Sequence, residues 1–379
     1  MTLMITESLA SDPNTILVLR AIYYAAAIFS ALIGSILPQR INRLYLLYFW
    51  MILGVVASLL PALSQSVAIT QASVIALLFG ISFGVGIPPC FAYFADSTLI
   101  ENRGRISGIV FLAANLSALP LAILLTTFHL TMNAVILAVW RVSGLFLFAL
   151  LKPEEKISST RKTISFRSVL QNRSFVLYFI PWLMFSLIDV FEKSLLKGFI
   201  GLELYRLILS IEPLIASLAA FVGGVLCDTI GRKRVVIYGF VSLGIAYAII
   251  GIAPNFLVSW YLYLLVDGVA AGILWVLFIL VVWGDLAQPN SSEKYYMIGN
   301  IHFLIYGSLP LLLVPLAAEV PAYAAFSLAS FFLFLAVLPL MYAPETLPEK
   351  KIKLRQLRGY IEQAKKVREK YSRKTDAEG

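Results

Sequence analysis

Residues 322–342, AYAAFSLASFFLFLAVLPLMY, run for about 20 positions without a charge, the length a helix needs to cross roughly 30 Å of hydrocarbon. In a bilayer, backbone amides find their partners either within one helix or around a closed barrel. Barrel strands alternate polar and apolar residues over about 10 positions, and this chain shows no such alternation. The rest of the chain is equally apolar. Of 379 residues 60% are hydrophobic and 13% charged, with a mean hydropathy of +0.87, far from the roughly 45–50% apolar content of soluble domains. The expectation is an all-α polytopic membrane protein.

Apolar runs between charged breaks predict eleven spans, at 15–37, 44–64, 70–95, 106–127, 130–151, 174–196, 203–226, 235–252, 257–283, 297–318 and 322–342. Lysine and arginine collect on the cytoplasmic side. Alternate breaks and the C-terminal tail hold 25 of the 30 bases, which places the C-terminus in the cytoplasm and, with an odd number of spans, the N-terminus outside a plasma membrane. The opening segment lacks the basic n-region of a cleaved signal. Cys90 and Cys227 make neither a disulfide framework nor a metal-ligand spacing. In the basic tail, 344–379, Ile352, Leu357, Ile361, Ala364 and Val367 share one helical face. That pattern suits an anionic inner leaflet, at about 1 kcal/mol per base near the surface, better than it suits nucleic acid.

A polar linker, 152–173, separates an N-terminal part, 1–151, from a C-terminal part, 174–343, and the two match. Gly34 and Gly223 are 189 apart, as are Asp96 and Asp285; Gly108 and Gly299 are 191 apart, as are the Pro-Glu pairs at 153 and 344. Landmarks in one order at nearly one offset mark a duplication. Shifted back by the same offset, the counterpart of 174–196 falls before Met1, so the first half is expected to show five spans against six, whether by loss of a helix or by a late start.

Two loops carry a family likeness. GGVLCDTIGRKRVV, with Gly223, Gly224, Asp228, Gly231, Arg232 and Lys233, resembles the G-x-L-x-D-x-x-G-R-[KR] loop of the major facilitator superfamily. FADSTLIENRGR, with Asp96, Glu101, Arg103 and Gly104, is similar to that family's second cytoplasmic motif, and APETLPEK resembles the Pro-Glu-Thr closing many sugar-porter-like members. The resemblance covers residues 15–350 and implies a bundle of two helical halves working by alternating access, with the first loop as a latch whose Asp228 faces the helix that starts near Ile106. In the first half the corresponding positions read Gln39 and Asn42, which predicts a weaker latch there.

Ionisable residues inside spans cost at least about 2.5–3.5 kcal/mol each and mark pathways or pairs. Arg141 is expected near the midplane, facing Asp189, Glu212 and Asp267 across a polar cavity to which Asn115 and Asn300 also contribute. Asp267 and Glu212 are the expected coupling carboxylates, with burial raising a carboxylate's pKa toward neutrality unless Arg141 or Arg206 neutralises it. Asp189 with Glu192 and Lys193 also reads as an outer-end cluster, and His302 as an interfacial residue. No G-x-x-x-x-G-K-[ST] loop, paired metal ligands or nucleophile–base constellation appears, so neither an enzyme nor a cofactor is expected. The reading is a transporter of a small organic solute, a proton-coupled symporter, with a non-transporting receptor or scaffold, or a truncated remnant, as the alternative. Oligomeric state is not legible.

Overall fold

The computed structural model describes residues 12–63, 69–154, 164–288, 291–302 and 320–348, with isolated positions 9, 357, 361 and 365. Most of the basic tail and most of the expected 297–318 span lie outside the described residues. Within them the chain is helical, and ten helices are long and apolar enough to cross a membrane.

The N-terminal half holds α1 (Pro13–Ile36), α2 (Arg43–Leu59), α3 (Ile69–Gly84), α4 (Ile87–Ser97), α5 (Arg103–Thr127) and α6 (Leu130–Leu150). Short polar side chains start several of these helices. Asp12 accepts from the Thr15 N–H at 2.9 Å ahead of Pro13, and Asn42 from the Leu44 N–H at 2.7 Å, satisfying donors that have no intrahelical acceptor. After a short linker helix, α7 (Phe166–Gln171), the C-terminal half holds α8 (Arg173–Ile230), α9 (Arg232–Ile252), α10 (Leu257–Val276), a π turn (Leu277–Val281), α11 (Val282–Leu286), α12 (Ser292–Gly299), α13 (Ala322–Leu335) and α14 (Val337–Tyr342).

Four expected spans have a different form. The 70–95 span is broken between α3 and α4, where Pro88 and Pro89 remove two backbone donors and the Trp50 indole donates to the Ser82 carbonyl at 2.5 Å. Its counterpart, 257–283, contains the π turn, and side chains again take up the carbonyls there: Tyr296 donates to Leu280 at 2.6 Å and Asn300 to Ile279 at 3.3 Å. The spans 174–196 and 203–226 are the two limbs of α8, separated only by Gly201 at φ 73°, a conformation open to glycine without strain.

The larger core lies in the C-terminal half around Trp182, Phe185, Phe240, Phe278 and Trp283. A smaller one joins Leu19, Tyr23, Phe79, Leu121 and Leu137 in the other half. Of the apolar stretch in each of α5 and α6 only 17% is buried, against 72% for 257–286. Helix α5 packs against α8 and forms the seam between the halves.

Candidate functional site

At the basic end α8 delivers Asp228 to the start of α5, where its carboxylate accepts from the backbone N–H of Gly104 at 3.0 Å and of Arg105 at 2.9 Å. A helix start presents unpaired N–H groups and the positive end of the macrodipole, so a fully buried carboxylate from another helix completes it. Glycine on both helices permits the approach: a Cβ on Gly224 would lie 2.3 Å from the Gly104 oxygen, and one on Gly104 2.5 Å from the Gly224 oxygen. Gly223 instead meets Ile273 of α10. Gly231, at φ 104°, turns the chain into α9.

Arg232, also fully buried, pairs with Asp228 and with Asp285, each at 3.0 Å, and donates to the Ile100 carbonyl at 2.5 Å. Asp285 receives Arg103 from the other half at 2.5 Å and the Thr346 hydroxyl at 3.1 Å. Glu345 accepts from the N–H groups of Arg232 and Lys233 at 2.8 and 3.2 Å, and the Lys233 ammonium donates to the Met341 carbonyl at 2.7 Å. The duplicate junction uses the same plan with other residues. Arg43, 189 positions before Arg232, pairs with Asp96 at 2.8 Å and with Glu293 of the opposite half at 2.7 Å, while the Ser292 hydroxyl donates to Asp96 at 3.2 Å. Each terminal acid thus bonds an arginine of its own half and a residue of the other. Glu101 is half-buried in the turn before α5.

Deeper in the C-terminal half, four acids surround one lysine. Lys193 bridges Asp189 at 3.0 Å and Glu212 at 3.3 Å, tying the two limbs of α8 together. Tyr263 of α10 donates to Glu192 at 2.5 Å, and Asp267 of the same helix, 1% exposed, lies within electrostatic reach of Glu212, Glu192 and Asp189. Oδ2 of Asp267 and Oε2 of Glu192 find no hydrogen-bond partner among the described residues. Proton occupancy in such a cluster belongs to the group as a whole rather than to one residue.

Arg141 stands apart from these acids. It lies in the N-terminal half, where Nη1 donates to the Gly54 carbonyl at 2.5 Å and the guanidinium sits 5.9 Å from the Phe79 ring centre. Lys193 is the cation that meets the acids, because the rotation of α8 turns it inward, while Arg206 is exposed. Asn115 donates to its own helix at the Phe111 carbonyl, 2.9 Å away, and lines a cavity of about 170 Å³ at the seam with Ala118, Leu119, Ala122, Pro213 and Ser217. Pro213 follows Glu212 in α8, and none of the four acids lines this cavity. Asn300 serves the π turn described above. His302 is buried, 3% exposed, with its ring 4.4 Å from that of Trp182, a core position rather than an interfacial one. The partners Tyr263, Glu293, Ser292 and Glu345 were not legible as a set. The 189-residue offset applied to Arg232 would have found Arg43, but no sequence signal marks Tyr263.

No protein-family model and no curated protein matches the sequence. The structure is similar to that of the human organic anion transporter MFSD10, with 19% identity, 86% of this chain and 83% of that one covered, and a TM-score of 0.67. It is also similar to the proton:xylose symporter XylE bound to 6-bromo-6-deoxy-D-glucose, at 14% identity, 88% and 86% coverage and a TM-score of 0.64. A third likeness is to FucP of E. coli in its outward conformation, at 10% identity, 90% and 93% coverage and a TM-score of 0.68. The expected architecture stands: this chain has the fold of the major facilitator superfamily.

Proposed function

We propose that this protein carries a small organic solute across the membrane by alternating access, with proton uptake and release at the Asp189, Glu192, Glu212 and Asp267 cluster driving the change. The observation that carries this reading is the buried carboxylate of Asp267, one oxygen of which has no hydrogen-bond partner among the described residues, within electrostatic reach of Glu212. Buried polar atoms are nearly always satisfied, and an exception calls for a role; binding a proton neutralises a buried carboxylate without bringing in a counter-ion. The similar structures carry the names of two proton symporters and an organic anion transporter, in keeping with coupling of this kind. The two salt-bridged junctions at the basic end act as the closed cytoplasmic gate, since both join residues of opposite halves.

Proteoliposomes under an inward proton gradient, offered a panel of labelled monosaccharides and carboxylates, test the reading. Asp267→Asn is expected to abolish accumulation, by at least about tenfold, while leaving solute exchange at equal pH intact. Undiminished accumulation in that variant removes Asp267 from the coupling.

A further inference from the structure

Arg141 is the twelfth residue of the 21 in α6, so at 1.5 Å per residue it lies about 16 Å along the helix, close to the middle of the hydrocarbon. Its five N–H donors engage one protein acceptor among the described residues, the Gly54 carbonyl. No carboxylate pairs with it among the described residues. The guanidinium lines a cavity of about 220 Å³ whose other walls include Trp50, Met51, Phe83, Ile87 and Leu145. The Trp50 indole N–H is already committed to the Ser82 carbonyl, so this residue offers the cavity only its ring. Ser82 also lines the cavity, with its hydroxyl committed to the Phe79 carbonyl at 3.0 Å, so Arg141 is the one charged lining residue, with spare donors in a fork that suits a carboxylate.

We infer that this cavity is the receptor for the anionic group of a small amphiphilic carboxylate. The inference rests on the transport reading and narrows its solute class: the acid oxygens bond the free donors of Arg141, and an aromatic or branched apolar body fills the space against Trp50 and Phe83. An intramembrane cation is most stable beside an opposite charge. Here the ligand supplies that charge, so a neutral solute of equal shape is excluded.

Equilibrium binding to the full chain in detergent, read by tryptophan fluorescence and by calorimetry, tests this with benzoate and its neutral isostere benzamide. Benzoate is expected to bind saturably and at least tenfold more tightly than benzamide. Arg141→Gln should erase the difference, and Arg141→Lys should keep part of it. Gly144 lines the same cavity and has nothing within 4 Å of where its Cβ would be, so Gly144→Phe fills the space with Arg141 in place and should abolish benzoate binding even where the arginine variants fail to fold. Equal binding of the two probes, no saturable benzoate binding, or unchanged binding in Gly144→Phe overturns the inference. None of these results depends on translocation, so the carboxylate receptor can fail while proton-driven uptake stands, and uptake can fail while binding stands.

Discussion

Cys227 is fully buried, with its thiol over Gly104 at the point where α8 crosses α5. It is a native reporter of whether that crossing is closed. Its neighbour Asp228 holds two backbone donors of α5 and a buried arginine, and removing one member of a buried pair costs about 3–5 kcal/mol. Because Arg232 keeps Asp285, Asp228→Ala is expected near the lower end, about 3 kcal/mol. If the loss falls on the closed arrangement, the open population rises about a hundredfold or more, at tenfold per 1.4 kcal/mol. In a Cys90→Ser background, maleimide should then label Cys227 at least tenfold faster in Asp228→Ala, with Asp228→Asn between the two because its amide oxygen still accepts one N–H. Labelling at the parent rate would reduce the loop to a marker of topology. The place of Asp228 was legible from its spacing to Gly224 and Gly231, whereas Glu345, which accepts from the Arg232 backbone N–H, lies 113 residues away and became visible only on folding.

At the scale of elements, close helix packing in a membrane relies on small residues because lipid competes for every larger apolar contact. A Cβ on Gly272 of α10 would lie 2.1 Å from the Ala216 oxygen of α8, whereas one on Gly144 of α6 would meet nothing. Backbone atoms cannot yield as a flexible side chain can, so Gly272→Leu should lower the thermal midpoint in detergent by several degrees, an overpacking loss of about 1–3 kcal/mol or more. Gly144→Ala should leave it unchanged within about one degree. Equal midpoints for the two variants would mean that the α8–α10 approach is looser than described. Gly224→Leu belongs to the seam rather than to one half, and its main effect should be faster Cys227 labelling rather than a lower midpoint. The membrane-long helices among the described residues could be read from hydropathy. The breaks at 85–86 and 277–281 could not, because a freed carbonyl is tolerated only where a distant donor, Trp50 or Tyr296, reaches it.

For the whole molecule, the two basic-end junctions lie in different sequence neighbourhoods but join the same pair of halves. If the halves rock as rigid bodies, breaking one junction opens the other. Arg43→Glu, which sets three acids together in place of the Asp96–Arg43–Glu293 bridge, should therefore speed labelling of Cys227 at the other junction by about tenfold. Reversing the partner as well, Arg43→Glu with Glu293→Arg, should recover most of the parent rate. Labelling at the parent rate in the single variant would mean that each junction frays on its own. The all-helical membrane architecture and the likeness to one fold family were legible in the sequence, because hydropathy and repeat spacing are properties of a segment wherever it packs. Which charges meet was decided by the fold. Successive residues of a helix turn by 100°, so a small change in rotation or tilt exchanges one neighbour for another. Packing turned Lys193 toward the acids and left Arg141 with a carbonyl and a cavity.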